Sequence, residues 1–242
     1  VDLIMMVAVV FVLLMIVLSA HAAPRNRVYQ TTDVNNYRRT LQATFSYAAD
    51  HSDTLPNCGW GTFQPSWAFA ANFPSSGGTP FSGYQTVYRS QLAYLTNGQL
   101  FSYIQDARVF MCPADRPDNA LFMNRGILIT SYVWNGAVNG YSSASAYKLS
   151  RFRPDAVLQW EADDRIPFYL NDASSYPDEG ISLRHGTNLL FGLFGGGVGT
   201  ATTTEFYGNS FAGTAGQRGM GIPASFLPNR MWCNPGIANG RY

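Results

Sequence analysis

The sequence predicts an α+β fold: a long N-terminal α-helical spine, kinked near Pro24, carrying a globular head built on an antiparallel β-sheet and long loops. Three observations predict it. From Leu3 to Pro24 no residue carries a fixed charge, and a run of about 20 apolar residues is long enough to span a bilayer as a helix. Beyond Pro24 the sequence returns to helical spacing as far as Asp50. From Cys58 onward, short β-rich runs alternate with stretches rich in Gly, Pro and aromatic residues.

The helix is expected to occupy residues 1–52, with an apolar assembly or transmembrane segment at 1–24 and an amphipathic half at 25–52. Pro24 lacks a backbone donor and is expected to kink or loosen it. In the second half Val28, Tyr37, Leu41, Phe45 and Ala48 share an apolar face, and Arg38, Arg39 and Gln42 a wet one. The helix is expected to end near Asp50–Ser52, because Pro56 disfavours the α region for the residue before it. At about 1.5 Å per residue such a helix measures about 75 Å.

The head is expected over residues 53–242. Residues 59–88 read as a long ordered loop, followed by short helices at Ser90–Leu95 and Leu100–Gln105. Strands are predicted at Ile127–Trp134, Ala156–Glu161 and Asn188–Phe194, with a further one at Thr200–Phe206. From 208 to the end Gly, Pro and Asn punctuate a mostly looped segment.

Three readings compete for the apolar opening. It is a signal peptide, since Ala20-His21-Ala22 resembles a small-x-small cleavage site; but no basic leader precedes it. Or it anchors a surface domain. Or it is held in the membrane and later buried against copies of itself, which agrees with a chain that opens at Val1 within the apolar run. Net charge is +1 and charged residues make up only 13% of the chain. With no basic stripe to neutralise phosphates, nucleic-acid binding is not expected. Low charge also keeps repulsion between packed copies small. Cys58, Cys112 and Cys233 lie far apart with no C-x-x-C. Export would favour one disulfide, Cys58–Cys112 or else Cys112–Cys233.

Several segments, taken in order, resemble type IV pilins and type II secretion pseudopilins, closest to the prepilin-like family whose heads carry an H-x9-D-G motif. VDLIMMVAVVFVLLMIVLSA looks like a mature prepilin helix, and NNYRRTLQATFSYAADHSDTLP is similar to the family's second helical half. Val109-Phe110-Met111-Cys112-Pro113-Ala114-Asp115 resembles the F-x-C-P-S-D element, and Ser131-Tyr132-Val133-Trp134-Asn135 the S-Y-x-x-N strand. Arg184-His185-Gly186 with Asn188-Leu189-Leu190-Phe191 resembles the C-terminal R-H-G…N-x-L-F strand. The chain departs from the family in three places. Met5 stands where pilins carry Glu, leaving Asp2 as the only carboxylate in the first 32 residues to meet the Val1 amine. Ten residues after His185 comes Gly195, not the motif's Asp. Asp33 stands near a position commonly held by Cys.

Candidate chemistry is sparse. Glu161, Asp163, Asp164, Asp172, Asp178 and Glu179 supply six of the fifteen acidic residues, and such oxygen-rich loops would suit Ca²⁺. No EF-hand spacing is present, and a solvated acidic loop is the plainer reading. Gly208-Asn209-Ser210-Phe211-Ala212 lacks the last Gly of a nucleophile elbow. His21, His51 and His185 are the only histidines, and His185 reads as structural. The glycine runs near 195 and 216 lack the Lys of a phosphate loop. Trp60, Trp67, Trp134, Trp160 and Trp232 would serve either as core or as a sugar platform.

The expectation is therefore a non-enzymatic structural subunit of an extracellular pilus-like filament, with Val1, Asp2, Met5 and Pro24 as assembly residues and no obligatory cofactor. The resemblance implies copies of itself as partners, together with an inner-membrane assembly platform, an assembly ATPase and a prepilin peptidase. It implies residence in the inner membrane before assembly, an N-methylated Val1, and a surface filament afterwards. The alternatives are a minor pseudopilin of a secretion apparatus and a membrane-anchored glycan-binding domain.

Overall fold

A computed structural model describes residues 3, 5–13, 27–80, 82–117, 120–214 and 221–240. Helix α1 is assigned to Asp2–Asp50. Its described residues fall into a short apolar stretch ending at Leu13 and a 24-residue stretch from Arg27 to Asp50. The expected long spine is corrected accordingly: the structure supports a short helical start and a 24-residue helix set into the head. Pro24, site of the expected kink, lies outside the described residues, as do Val1 and Asp2. The physical reason is the burial pattern of the second stretch. Asp33, Asn36, Tyr37, Thr40, Leu41, Thr44, Tyr47 and Ala48 recur every three or four residues, and all are buried. This face is a wall of the core, while Arg38, Arg39 and Gln42 point to solvent as expected. Val28 and Phe45, both expected on the apolar face, are exposed.

The short α2 spans Tyr84–Leu95. The sheet comprises β1 (Tyr132–Asn135), β2 (Val157–Glu161), β3 (Ser174–Ser175), β4 (Asn188–Leu193) and β5 (Val198–Thr202), in the order β3-β1-β2-β4-β5. β1, β2, β4 and β5 pair antiparallel, but β3 runs parallel to β1. The predicted antiparallel sheet is thus a mixed one. After β2 the chain passes through residues 162–173 to the far side of β1, where β3 runs parallel to β1 and so antiparallel to β2. The ladder there starts with the Trp134 amide donating to the Ala173 carbonyl at 2.9 Å. The last predicted strand is also revised. β5 ends at Thr202, where the side chains of Thr202 and Glu205 form a capping box and turn the chain into one helical turn at Thr203–Phe206.

Helix α1 packs on β4 over Gly192, where a Cβ would sit 3.3 Å from the Leu41 methyls and the Tyr37 ring. The Tyr37 hydroxyl donates to the Leu190 carbonyl at 3.2 Å. Beyond the sheet, Trp67 stacks between Trp134 (5.2 Å) and Phe110 (5.8 Å). Trp67, Trp160 and Trp232 each donate their indole N–H to a backbone carbonyl, of Ala173, Gly180 and Ala212. With Trp134 they are fully buried, so four of the five tryptophans are core and do not form a surface sugar platform. Among the described residues no helix is long and apolar enough to cross a membrane.

Candidate metal centre

Four segments distant in sequence converge where α1 meets the end of β2. Asp33 projects from the buried face of α1, and Cys112 follows the single turn Ala107–Phe110. Glu161 is the last residue of β2. His185 lies in the loop that leads into β4. One ligand atom from each of the four lies within 4.8 Å of all the others. The His185 Nε2 lies 3.1 Å from Glu161 Oε1, 3.3 Å from Asp33 Oδ2 and 3.4 Å from Cys112 Sγ. Asp33, Cys112 and Glu161 are buried and the His185 side chain is only 7% exposed.

A second layer fixes these groups. The Tyr132 hydroxyl donates to Asp33 Oδ1 in a short hydrogen bond. The Tyr132 hydroxyl in turn accepts from the Asn36 amide at 3.3 Å. Arg184 Nη1 binds Glu161 Oε2, which leaves Oε1 to face the imidazole. The Ala114 amide donates to Cys112 Sγ at 3.4 Å, and the Cys112 amide donates to Ser131 Oγ at 3.0 Å. Ser131 donates to Asp115 Oδ2, which also takes Arg125 Nη1 at 2.8 Å. Arg184 completes the layer with close charge contacts to Asp115 (3.4 Å) and Asp164 (3.3 Å), which lack hydrogen-bond geometry. Arg125, fully buried, lays its guanidinium over the Phe122 ring at 3.9 Å.

The electrostatics follow from burial among like charges. Burial, then the charge of Glu161, raises Asp33 to about 7. Burial works against ionised Glu161 as well, but Arg184 and then His185 hold it down to about 2. Burial opposes a charged His185, yet its close contacts with the Asp33 and Glu161 carboxylates prevail and raise it to about 9. Burial, followed by the charges of Glu161 and Asp33, pushes the Cys112 thiol far up. Asp33 Oδ2 is buried and accepts no hydrogen bond of good geometry.

The residues singled out in the sequence are distributed as follows. Of the acidic group, only Glu161 reaches this cluster. Asp163 pairs with Arg165, Asp164 with Arg184 and Ser182, while Asp172 accepts from the Gly61 and Ser174 amides and Asp178 from the Gly221 amide. Among the described residues these carboxylates do not gather into a common ligand set. The expected Cys58–Cys112 disulfide is corrected: all three cysteines are free. Cys58 is buried beside Asn139, whose side chain accepts its amide proton, whereas Cys112 faces His185. Cys233 lies near Asn135, so the alternative pairing with Cys112 is not formed either. Met5 is exposed on the apolar stretch. His51 closes α1, its Nδ1 2.8 Å from the Tyr47 carbonyl, and Ser210 is exposed away from any described histidine contact. No family model, curated protein or solved structure matches the chain.

Each cluster residue carries a different signal in the sequence: Asp33 stands near a position commonly held by Cys, Cys112 suggests a disulfide, Glu161 belongs to an acidic stretch and His185 reads as structural. No spacing motif joins them, since each comes from a different element.

Proposed function

We propose that this chain is a structural subunit of a type IV pilus-like helical filament, assembled through its apolar N-terminal stretch. The observation that carries the reading is the exposure of that stretch. Leu3 and every residue from Met5 to Leu13 are exposed, Met5 at 64% and Phe11 at 66%, in a short helical stretch. A helix that is apolar on all sides must be covered by lipid or by protein. Copies of the same segment offer matching apolar faces, and burying about ten such residues per copy supplies a large hydrophobic driving force. Heterologous packing of this kind propagates as an open helix and does not close into a ring. The ordered resemblance to pilins and pseudopilins supports the same reading, with the membrane as the holding place before assembly.

Electron microscopy of material purified from the native source tests it. Helical fibres that carry this chain are expected, and their loss is expected in a Phe11→Asp variant, because an unpaired carboxylate in an apolar interface costs several kcal/mol. A wild-type chain that is recovered only as a detergent-bound monomer, with no fibres, overturns the proposal.

A further inference from the structure

We propose that Asp33, Cys112, Glu161 and His185 form a closed, four-coordinate site for a Zn²⁺-class divalent cation that fastens α1 to the head. The donor set is one thiol sulfur, one imidazole nitrogen and two carboxylate oxygens. Zn²⁺ takes these ligands at about 2.0–2.3 Å in a tetrahedron, whose edges are then about 3.3–3.8 Å long. Of the three separations from His185 Nε2, 3.3 and 3.4 Å lie within that range and 3.1 Å falls just short of it. The remaining pairs lie within 4.8 Å, so gathering them onto one ion requires side-chain movements of about an ångström or less.

Two further observations point to a cation. The first is Asp33 Oδ2, fully buried and aimed into the cluster, where the His185 imidazole stands 3.3 Å away but no hydrogen bond of good geometry reaches it. A single imidazole N–H cannot serve two carboxylates and a sulfur at once, whereas a dication at their centre serves all of them. The second is the outer layer. Tyr132 holds Asp33 by Oδ1 and Arg184 holds Glu161 by Oε2, so each carboxylate keeps one oxygen turned inward. Outer partners that orient ligands in this way are a regular feature of protein metal sites. The charges also close: two carboxylates, a thiolate and a dication sum to −1, which the adjacent Arg184 offsets.

The chemistry of the donors selects the ion. Sulfur and imidazole in a four-donor set favour Zn²⁺ over Ca²⁺ or Mg²⁺, which take six or more oxygens. All four positions are filled by protein and the site is buried, so it has the form of a structural centre. The ligands come from α1, the Cys112 loop, β2 and the loop before β4, so one ion would tie the helix to three other segments of the head.

This inference is independent of the filament reading, because it is tested on the purified full chain in detergent without any fibre. The protein is stripped with a chelator and titrated with Co²⁺, a spectroscopic substitute for Zn²⁺. One Co²⁺ per chain is expected, with thiolate-to-cobalt charge-transfer absorption that Zn²⁺ abolishes and Ca²⁺ and Mg²⁺ leave unchanged. Cys112→Ser should lose the charge-transfer absorption, and Cys233→Ser, outside the cluster, should keep it. Zn²⁺ should raise the melting temperature of the wild-type chain, since a ligand that binds only the folded state stabilises it. Failure of the folded wild-type chain to bind Co²⁺ stoichiometrically overturns the proposal, whatever the variants do. So does absorption that survives in Cys112→Ser.

Discussion

Single residues carry the buried charge of this protein. Arg125 has no exposed side-chain surface, pairs with Asp115 at 2.8 Å and stacks on Phe122. Removing one member of a buried pair strands the other, a loss of about 3–5 kcal/mol. Arg125→Met is therefore expected to lower unfolding stability by about that amount, read from urea denaturation, and a loss under about 1 kcal/mol would mean that Arg184 and Ser131 alone satisfy Asp115. Asp106 works at the surface. It accepts from the Arg108 amide and pairs with Arg108 and with Arg39 of α1. The Arg108 hydrogen bond leads, burial opposes, Arg39 adds, and the carboxyl is held well below its usual range. A depressed folded-state value contributes stability that is present above the unfolded value of about 3.9 and is lost as the pH falls through the folded one. An Asp106→Asn variant should accordingly show a flatter stability profile than the wild type below about pH 4, in acid titrations followed by circular dichroism.

At the level of elements, the decisive contact is that between α1 and β4. It depends on Gly192, because the Leu41 methyls and the Tyr37 ring already stand 3.3 Å from where a Cβ would be. Valine at 192 must push the helix away, an overpacking that costs typically about 1–3 kcal/mol. Leu41→Ala alone is expected to cost about 2–5 kcal/mol as a core truncation. Combined with Gly192→Val, it should cost less than the sum of the two, since the cavity accommodates the added methyls. Thermal melts of the four proteins in this cycle check the coupling, and strict additivity would mean that the helix and strand do not meet there. The helix was legible because its spacing is plain, but its stop is set by left-handed backbone at Ser52 and Asp53 and not by Pro56. Its role was not: Asp33, Asn36, Thr40 and Thr44 are polar letters on a buried face, and Thr40 and Thr44 hide by donating to the carbonyls four residues back. β3, two serines long, has no hydrophobic pattern to read, because its place is set by the crossover from β2 and not by its own side chains.

For the molecule as a whole, two surfaces of opposite character matter. One is the exposed apolar start, which the filament proposal covers with other copies. The other is the sealed polar junction of α1 with β2 and the loops around it, which the metal proposal fills. The two are separable in experiment: loss of fibres in Phe11→Asp should leave metal binding intact, and loss of metal should lower the melting temperature of the head without altering the apolar stretch.

Elements that rest on local chemistry can be read directly from the order of residues. The apolar run, the helical spacing of 27–50 and the strands around Tyr132, Val157 and Asn188 follow from side-chain period and turn residues within a few positions of each other. Only the tertiary structure decided that the sheet is mixed, that the later helix is a core wall, that the cysteines stay unpaired, and that Asp33, Cys112, Glu161 and His185 meet. Those outcomes depend on which distant segments share the interior. Burial then turns ordinary surface letters into a coupled charge cluster, a change of environment that no local pattern encodes.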